Sequence, residues 1–251
     1  VHRLPTRISI AEFFADIRPI LTIAGPAVLT NLATPISNGF VLRTMSQFGD
    51  GAVAGAAIMG RIPPVAFAAI FALSGAVGPI IGQNAGAGQY DRVRATLRDA
   101  LLFNLVYVLV VWAILWLCGR LIVQAFSASE EAAELILFYT AFVAGTFVFN
   151  GSLFIANASF NNLRHAHWAT CFNFGRAVLG TIPAVYLAAQ WYGPRGVLAG
   201  EAFGALVFGL LAIVAAFWLV NRLERQHGPV PVGPMSNPDV ADLGTAREPP
   251  V

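Results

Sequence analysis

The chain has 251 residues, of which 57% are hydrophobic and 11% charged, with a mean hydropathy of +0.69. Water-soluble domains carry about 25% charged residues, so this composition excludes a soluble globular fold and indicates a polytopic, all-α membrane protein with the lipid bilayer as solvent. A net charge of +2 gives no basis for nucleic-acid binding, and the fifteen basic residues, every one an arginine, read as coding bias rather than as a phosphate-reading surface.

Residues 1–17 read as a cytoplasmic linker with a short amphipathic piece, Ile8 to Ile17, suited to the membrane surface. They lack the apolar core of a secretory signal peptide, so the first span is expected to act as the insertion signal. Residues 18–222 are expected to form a six-helix transmembrane lobe, with spans at about 18–48, 52–83, 96–118, 132–160, 169–191 and 196–220. Pro26 and Pro35 supply kink points in span one, and Gly49-Asp50-Gly51 is a tight loop. In span two Arg61 and Pro63-Pro64 predict a bend. Gly75, Pro79 (beside Gly78), Gly82 and Gly86 then recur about every fourth residue, a face with little bulk for a neighbour to approach.

Span three is interrupted only by Asn104 and ends at Cys118-Gly119-Arg120. Ser129 followed by Glu130 and Glu131 predicts the N-terminus of span four. Span five contains Arg176 and Pro183, and Trp191 and Tyr192 sit at interface depth before span six. Gly196, Gly200 and Gly204 predict a second close-packed face. Residues 223–251, with six prolines from Gly228 onward and no apolar periodicity, read as a disordered cytoplasmic tail. Cys118 and Cys171 fall on opposite faces of this topology, which excludes a disulfide, and no metal-ligand spacing is present.

Arginines Arg3, Arg7, Arg18, Arg92, Arg94, Arg98, Arg164, Arg222, Arg225 and Arg247 share the side of the termini, against Arg120 and Arg195 opposite. The positive-inside rule therefore predicts a multi-pass protein of the inner (plasma) membrane with both termini in the cytoplasm.

Arg43, Arg61, Arg176 and Glu201 are the charges left inside spans, where each is costly unless paired, hydrated or near an interface. Counting rise along the helices places Arg43, Arg61 and Glu201 toward the outer end, where they can meet. The same count separates Arg176 from Glu201 by more than ~10 Å and excludes that pair. Glu201 is then either the partner of Arg43 or Arg61 in a structural ion pair, or a coupling or substrate group.

Two polar stripes suggest a substrate cavity: Asn31, Thr34, Pro35 and Asn38 on one face of span one, and Phe147, Asn150, Phe154, Asn157 and Asn161 on one face of span four. Amides and aromatic rings around water suit an amphipathic organic cation or a neutral drug; the competing reading is that these asparagines only bond neighbouring helices. No HExxH, GxSxG or GxxxxGK[ST] occurs, and Ser74 has no histidine at its depth, so no enzyme is indicated.

The segments GPAVLTNLATPISN, FGDGAVAG, Arg61-Ile62-Pro63, GQNAGAG and NASFNNL together resemble the multidrug and toxic compound extrusion (MATE) transporters, over about Arg18 to Val220, and within them the C-terminal six-helix lobe. The resemblance implies two such lobes per protein, alternating access, and exchange of a proton or sodium ion for an exported drug, with no other cofactor. It also implies a fragment or a half-transporter, whose N-terminal lobe is missing or supplied by a second chain. Some family members carry a cation-binding carboxylate in the helices matching spans one and four; here the cores of both lack one. The coupling carboxylate is then Glu201 or lies in the other lobe. A flippase of lipids or lipid-linked oligosaccharides in the same superfamily, and a non-transporting truncated partner, are the alternatives.

Overall fold

The computed structural model describes Ile17 and residues 32–227. Its elements are α1 (residues 32–45, closed by the 3-10 turn Ser46–Phe48), α2 (residues 50–86), α3 (Tyr90–Ala125), α4 (residues 130–162), α5 (residues 166–192) and α6 (residues 194–227). Asn31, Pro26, the linker before Ile17 and the tail beyond residue 227 lie outside the described residues, while residues 223–227, expected in the disordered tail, are the last turn of α6, held by the Arg94–Glu224 pair.

Gly193 makes two helices of one long apolar stretch. Its φ of 59° and ψ of −142° suit glycine, and with Pro194 next it breaks the helical run Ile182–His227. The chain reverses there. Gly196 lies against the Ala188 carbonyl, Gly200 against the Val185 amide and Gly204 against Thr181. The small residues of α6 thus let its backbone touch that of α5, as their four-residue spacing predicts.

Length and hydropathy qualify Ala68–Gly86, Tyr90–Ala125, Glu130–Asn162 and Ala166–Gln226 to cross a membrane, and the last, broken at Gly193, is long enough to cross twice. With α1 the lobe has six helical rods among the described residues. On α3 Leu102, Val106, Val110, Leu117 and Leu121 are all exposed, Leu117 by 74%. An apolar stripe of that length is stable only against lipid or another apolar surface.

Helix ends follow local chemistry. The Ser129 side chain accepts from the Ala132 amide at 3.4 Å, with Glu130 and Glu131 in the first turn, so α4 starts where the sequence predicts. α3 is longer than its expected span of 96–118, because its charged first turns continue the helix beyond the hydrocarbon.

Two expectations need correction. The low-bulk face of α2 is used only in part: Gly78 and Gly82 pack on Asn162, whereas Gly75 and Gly86 have nothing within 4 Å. Gly86 lies past the end of α4, which stops at Asn162. The bend of α2 is also two breaks rather than one, since the helix runs as Asp50–Met59, Ile62–Ala66 and Ala68–Gly86. Prolines 63 and 64 lack amide donors, so the chain turns before them at Gly60-Arg61 and again after them at Phe67.

Ion pairs tie the two ends of the lobe. Arg94 at the start of α3 grips Glu224 near the end of α6 with both nitrogens, at 2.5 and 3.0 Å, and also holds Asp91 and, at 3.3 Å, Asn221. At the opposite end Arg195 pairs with Glu134 and lies 5.8 Å from the Phe138 ring.

Candidate functional site

The second break of α2 creates the site. At Phe67 the backbone takes φ −109° and ψ 22°, its amide donates to the Pro63 carbonyl at 3.0 Å, and the side chain is fully buried. Its ring stacks on Phe147 of α4 at 4.1 Å and 6° between planes. One turn on, Phe71 meets Phe147 edge-on at 6.1 Å and Phe154 at 5.2 Å, while 43% of its surface stays exposed. Phe147 and Phe154 meet edge-on at 6.3 Å. Four rings, two from each helix, form a wall, and Tyr107 of α3 supports it by donating to the Ala66 carbonyl at 3.0 Å.

Two amides stand on this wall. Asn150 is half-buried and has no hydrogen-bond partner among the described residues. Asn157 has a buried Oδ1 that likewise has none. Buried polar atoms are nearly always satisfied, so an orphan acceptor beside aromatic rings marks a place where water or a ligand belongs. Rings bind flat or cationic molecules by stacking and cation-π attraction, and the amides orient them.

Asn104 ties helices together, although its Oδ1, like that of Asn157, is buried without a partner. It is fully buried in α3 and donates to the Val148 carbonyl at 2.8 Å and the Ser152 hydroxyl at 3.2 Å, which fixes α3 to α4. The clearance comes from Gly151, where a Cβ would collide with this amide and with Ile70.

The structure thus brings Phe147, Asn150, Phe154 and Asn157 onto one face, and adds Phe67 and Phe71, which the sequence reading missed. Their signal was present: two phenylalanines four residues apart, directly after the double proline. Thr34 and Asn38 are exposed on α1, opposite the buried Ala33 and Ser37, and Asn31 lies outside the described residues.

The intramembrane charges are arranged differently from expectation. Arg43 and Arg61 are exposed, and the ion pairs among the described residues include neither. Arg176 acts on Glu201 through charge with no ion pair between them, and Tyr139 is also within electrostatic range. Gly175 packs on Phe208 and Gly204 on Thr181, which keeps Arg176 about seven residues, roughly 10 Å, from Glu201 along α6. Arg176 lies in a π-helical segment, Gly175–Thr181. Among the described residues no group of three His, Cys, Asp or Glu side chains could hold a metal ion.

Residues 26–187 match the MatE family profile. An uncharacterised 21 kDa protein encoded in the iaaL 5' region of Pseudomonas savastanoi is 31% identical over 222 residues, covering 86% of this chain and 72% of that protein. The FAD transporter of Shewanella oneidensis is 26% identical over 224 residues, covering 88% of this chain and 49% of its own length. A multidrug resistance MATE family transporter of the MOP superfamily, solved in an inward-facing conformation, superposes with a TM-score of 0.78 at 17% identity, covering 88% of this chain and 51% of that one. The chain spans about half the length of these two transporters, one lobe of such a protein. With the profile matched over most of the chain and the fold of one transporter lobe, this protein belongs to the MatE family.

Proposed function

We propose that the lobe forms half of a cation-coupled exporter of amphipathic organic compounds, taking substrate between itself and a second six-helix lobe. The family consists of transporters, not enzymes. The observation that carries the reading is the aromatic wall with its orphan amide: Phe71 is 43% exposed beside Phe154, and Asn157 Oδ1 has no partner. A purely structural helix contact would bury those rings and satisfy that atom. Alternating access then follows from the two lobes rocking about the bound substrate, with a proton or sodium ion favouring one state.

The proposed setting is the inner membrane with both termini cytoplasmic. The arginine-rich start of α3 and the end of α6 lie at one end of the lobe, joined by Arg94 and Glu224, which supports that orientation. The span limits belong to the same proposal, as does a disordered tail, which begins after the end of α6 at residue 227.

The test is efflux in drug-sensitised cells expressing the protein. Replacing Asn150 and Asn157 together by leucine is expected to reduce efflux about tenfold, the loss of one to two hydrogen bonds to substrate, at equal abundance in the membrane. Unchanged efflux at equal abundance removes this face from the pathway. The open rings also favour a second reading. The relative in Shewanella oneidensis carries FAD, and the exposed ring of Phe71 suits a flat heterocycle of that kind. Flavin accumulation outside the cells, without a change in drug sensitivity, selects it.

A further inference from the structure

Aromatic rings and cations form a row where α5 begins and α6 ends, at the arginine-rich end of the lobe. Trp168, in the first turn of α5, stacks on Trp218 of α6 with 5.6 Å between ring centres and 24° between planes. One turn further along α6, the Arg222 guanidinium stands 5.2 Å from the centre of the same Trp218 ring. At the start of α5 His167 meets Trp168 edge-on at 6.4 Å, and the His165 ring lies 5.6 Å from that of His167. Each member of the row thus neighbours the next. The row is anchored inward, since Trp168 also packs at 5.8 Å on Phe160, which is fully buried, and at 6.2 Å on Phe172.

The cations of this row have no counter-charge. Arg222 and His167 are exposed, and Arg222 has no hydrogen bond or ion pair among the described residues. The described carboxylates of this end are engaged elsewhere, Glu224 and Asp91 by Arg94 and Asp99 by Arg98. His165 Nδ1 donates to the Leu163 carbonyl at 2.7 Å, which leaves Nε2 for another partner. Stacking on Trp218 orders the guanidinium without using its N–H groups, so the fork that matches a phosphate stays open. Deeper in the membrane Trp218, Val214 and Leu211 are exposed on the same face of α6 as Arg222. An arginine, then an open indole, then bare aliphatic side chains follow the order of a phospholipid: phosphate, glycerol and acyl chain. Fifteen arginines by number gave no sign of a phosphate-binding surface; placement makes this one.

We propose that Arg222, with His165 and His167 at the far end of the row, binds the phosphate of an anionic phospholipid whose acyl chain lies along Trp218, Val214 and Leu211. Arg222 donates to the phosphate oxygens, and the open Trp218 ring covers the glycerol. A zwitterionic headgroup fits less well, because the engaged carboxylates cannot receive its ammonium. With the termini in the cytoplasm, the lipid belongs to the inner leaflet. Bound there, it bridges α5 and α6 at the end opposite their Gly193 turn. This binding does not rest on the transport reading above.

The experiment is native mass spectrometry of the full chain in detergent, titrated with phosphatidylglycerol, with phosphatidylethanolamine of the same acyl chains, and with inorganic phosphate. Phosphatidylglycerol is expected to bind about tenfold more tightly than phosphatidylethanolamine. Arg222→Gln should reduce that preference about fivefold, and Arg222→Lys should retain part of it. Arg120→Gln, at an exposed arginine of the opposite end, should leave it unchanged. Equal binding of the two lipids, or a preference that survives in Arg222→Gln, overturns the proposal. So does inorganic phosphate that binds as tightly as the lipid, which would make the ligand a soluble phosphate ester. If Arg222→Gln does not accumulate, the double change His165→Gln and His167→Gln takes its place, and an unchanged preference there overturns the proposal as well.

Discussion

The α5–α6 hairpin and the α2–α4 wall use opposite means of holding helices together. In the hairpin, glycines remove side chains so that backbones touch: a Cβ at Gly200 would lie 2.6 Å from the Val185 nitrogen, and one at Gly204 would lie 2.8 Å from the Thr181 nitrogen. In the wall, four large rings hold the helices by stacking, and polar atoms beside them remain unpaired. The first arrangement leaves little room between the helices, although the Thr181 hydroxyl within it has no partner. The second keeps exposed aromatic surface and unused hydrogen-bonding capacity, which is what a ligand requires. The lobe therefore pairs a rigid back with a receptive front.

The hairpin should be the more fragile to added bulk. Gly200→Val is expected to destabilise by about 3 kcal/mol, because backbone atoms cannot yield as the tip of a side chain can. It should appear as a lower melting temperature in detergent or as lost expression. Gly75→Ala is the control. Nothing lies within 4 Å of that position, so it should be neutral or stabilise by about 0.5 kcal/mol through helix propensity. If both variants behave alike, the hairpin is not held by backbone contact.

The wall should separate stability from binding. Phe67→Ala removes a fully buried ring stacked at 4.1 Å, and should cost about 3 kcal/mol. Phe71→Ala removes a ring that is 43% exposed, and should cost about 1 kcal/mol. The effect on substrate should run the other way, with Phe71→Ala weakening binding of a fluorescent amphipathic cation about fivefold or more. Equal losses of stability in the two variants would make the wall ordinary packing.

How legible these regions were follows from their chemistry. Glycines at every fourth residue permit a close approach, which the hairpin face of Gly196, Gly200 and Gly204 uses throughout and α2 uses only at Gly78 and Gly82. The face of Phe147, Asn150, Phe154 and Asn157 was readable because that stretch is a regular α-helix, for which the 3.6-residue period holds. The π segments were not readable. Each alters the phase and rise of its helix, and nothing in YTAFV or GRAVLGT marks that change. Phe67 was missed because its orientation depends on a break three residues beyond a double proline, where the periodicity restarts.

The smallest effect expected is at the clasp that joins front and back, Arg94 of α3 with Glu224 of α6. Hydrogen bonds from Arg94 hold the Glu224 carboxyl below its ordinary range, and Arg94 and Arg225 reinforce this by charge. A carboxyl depressed on folding contributes stability that is fully present above its unfolded value, near 4.3 for glutamate, and that is lost as pH falls through the folded value below it. Both partners are open to water, so screening leaves the contribution small. Glu224→Gln should therefore lower the melting temperature by about a degree at neutral pH, and the difference should close below about pH 4. A difference that widened as the solution was acidified would mean that Glu224 is not held by Arg94. One that persisted unchanged into acid would assign the effect to packing at the end of α6 rather than to charge.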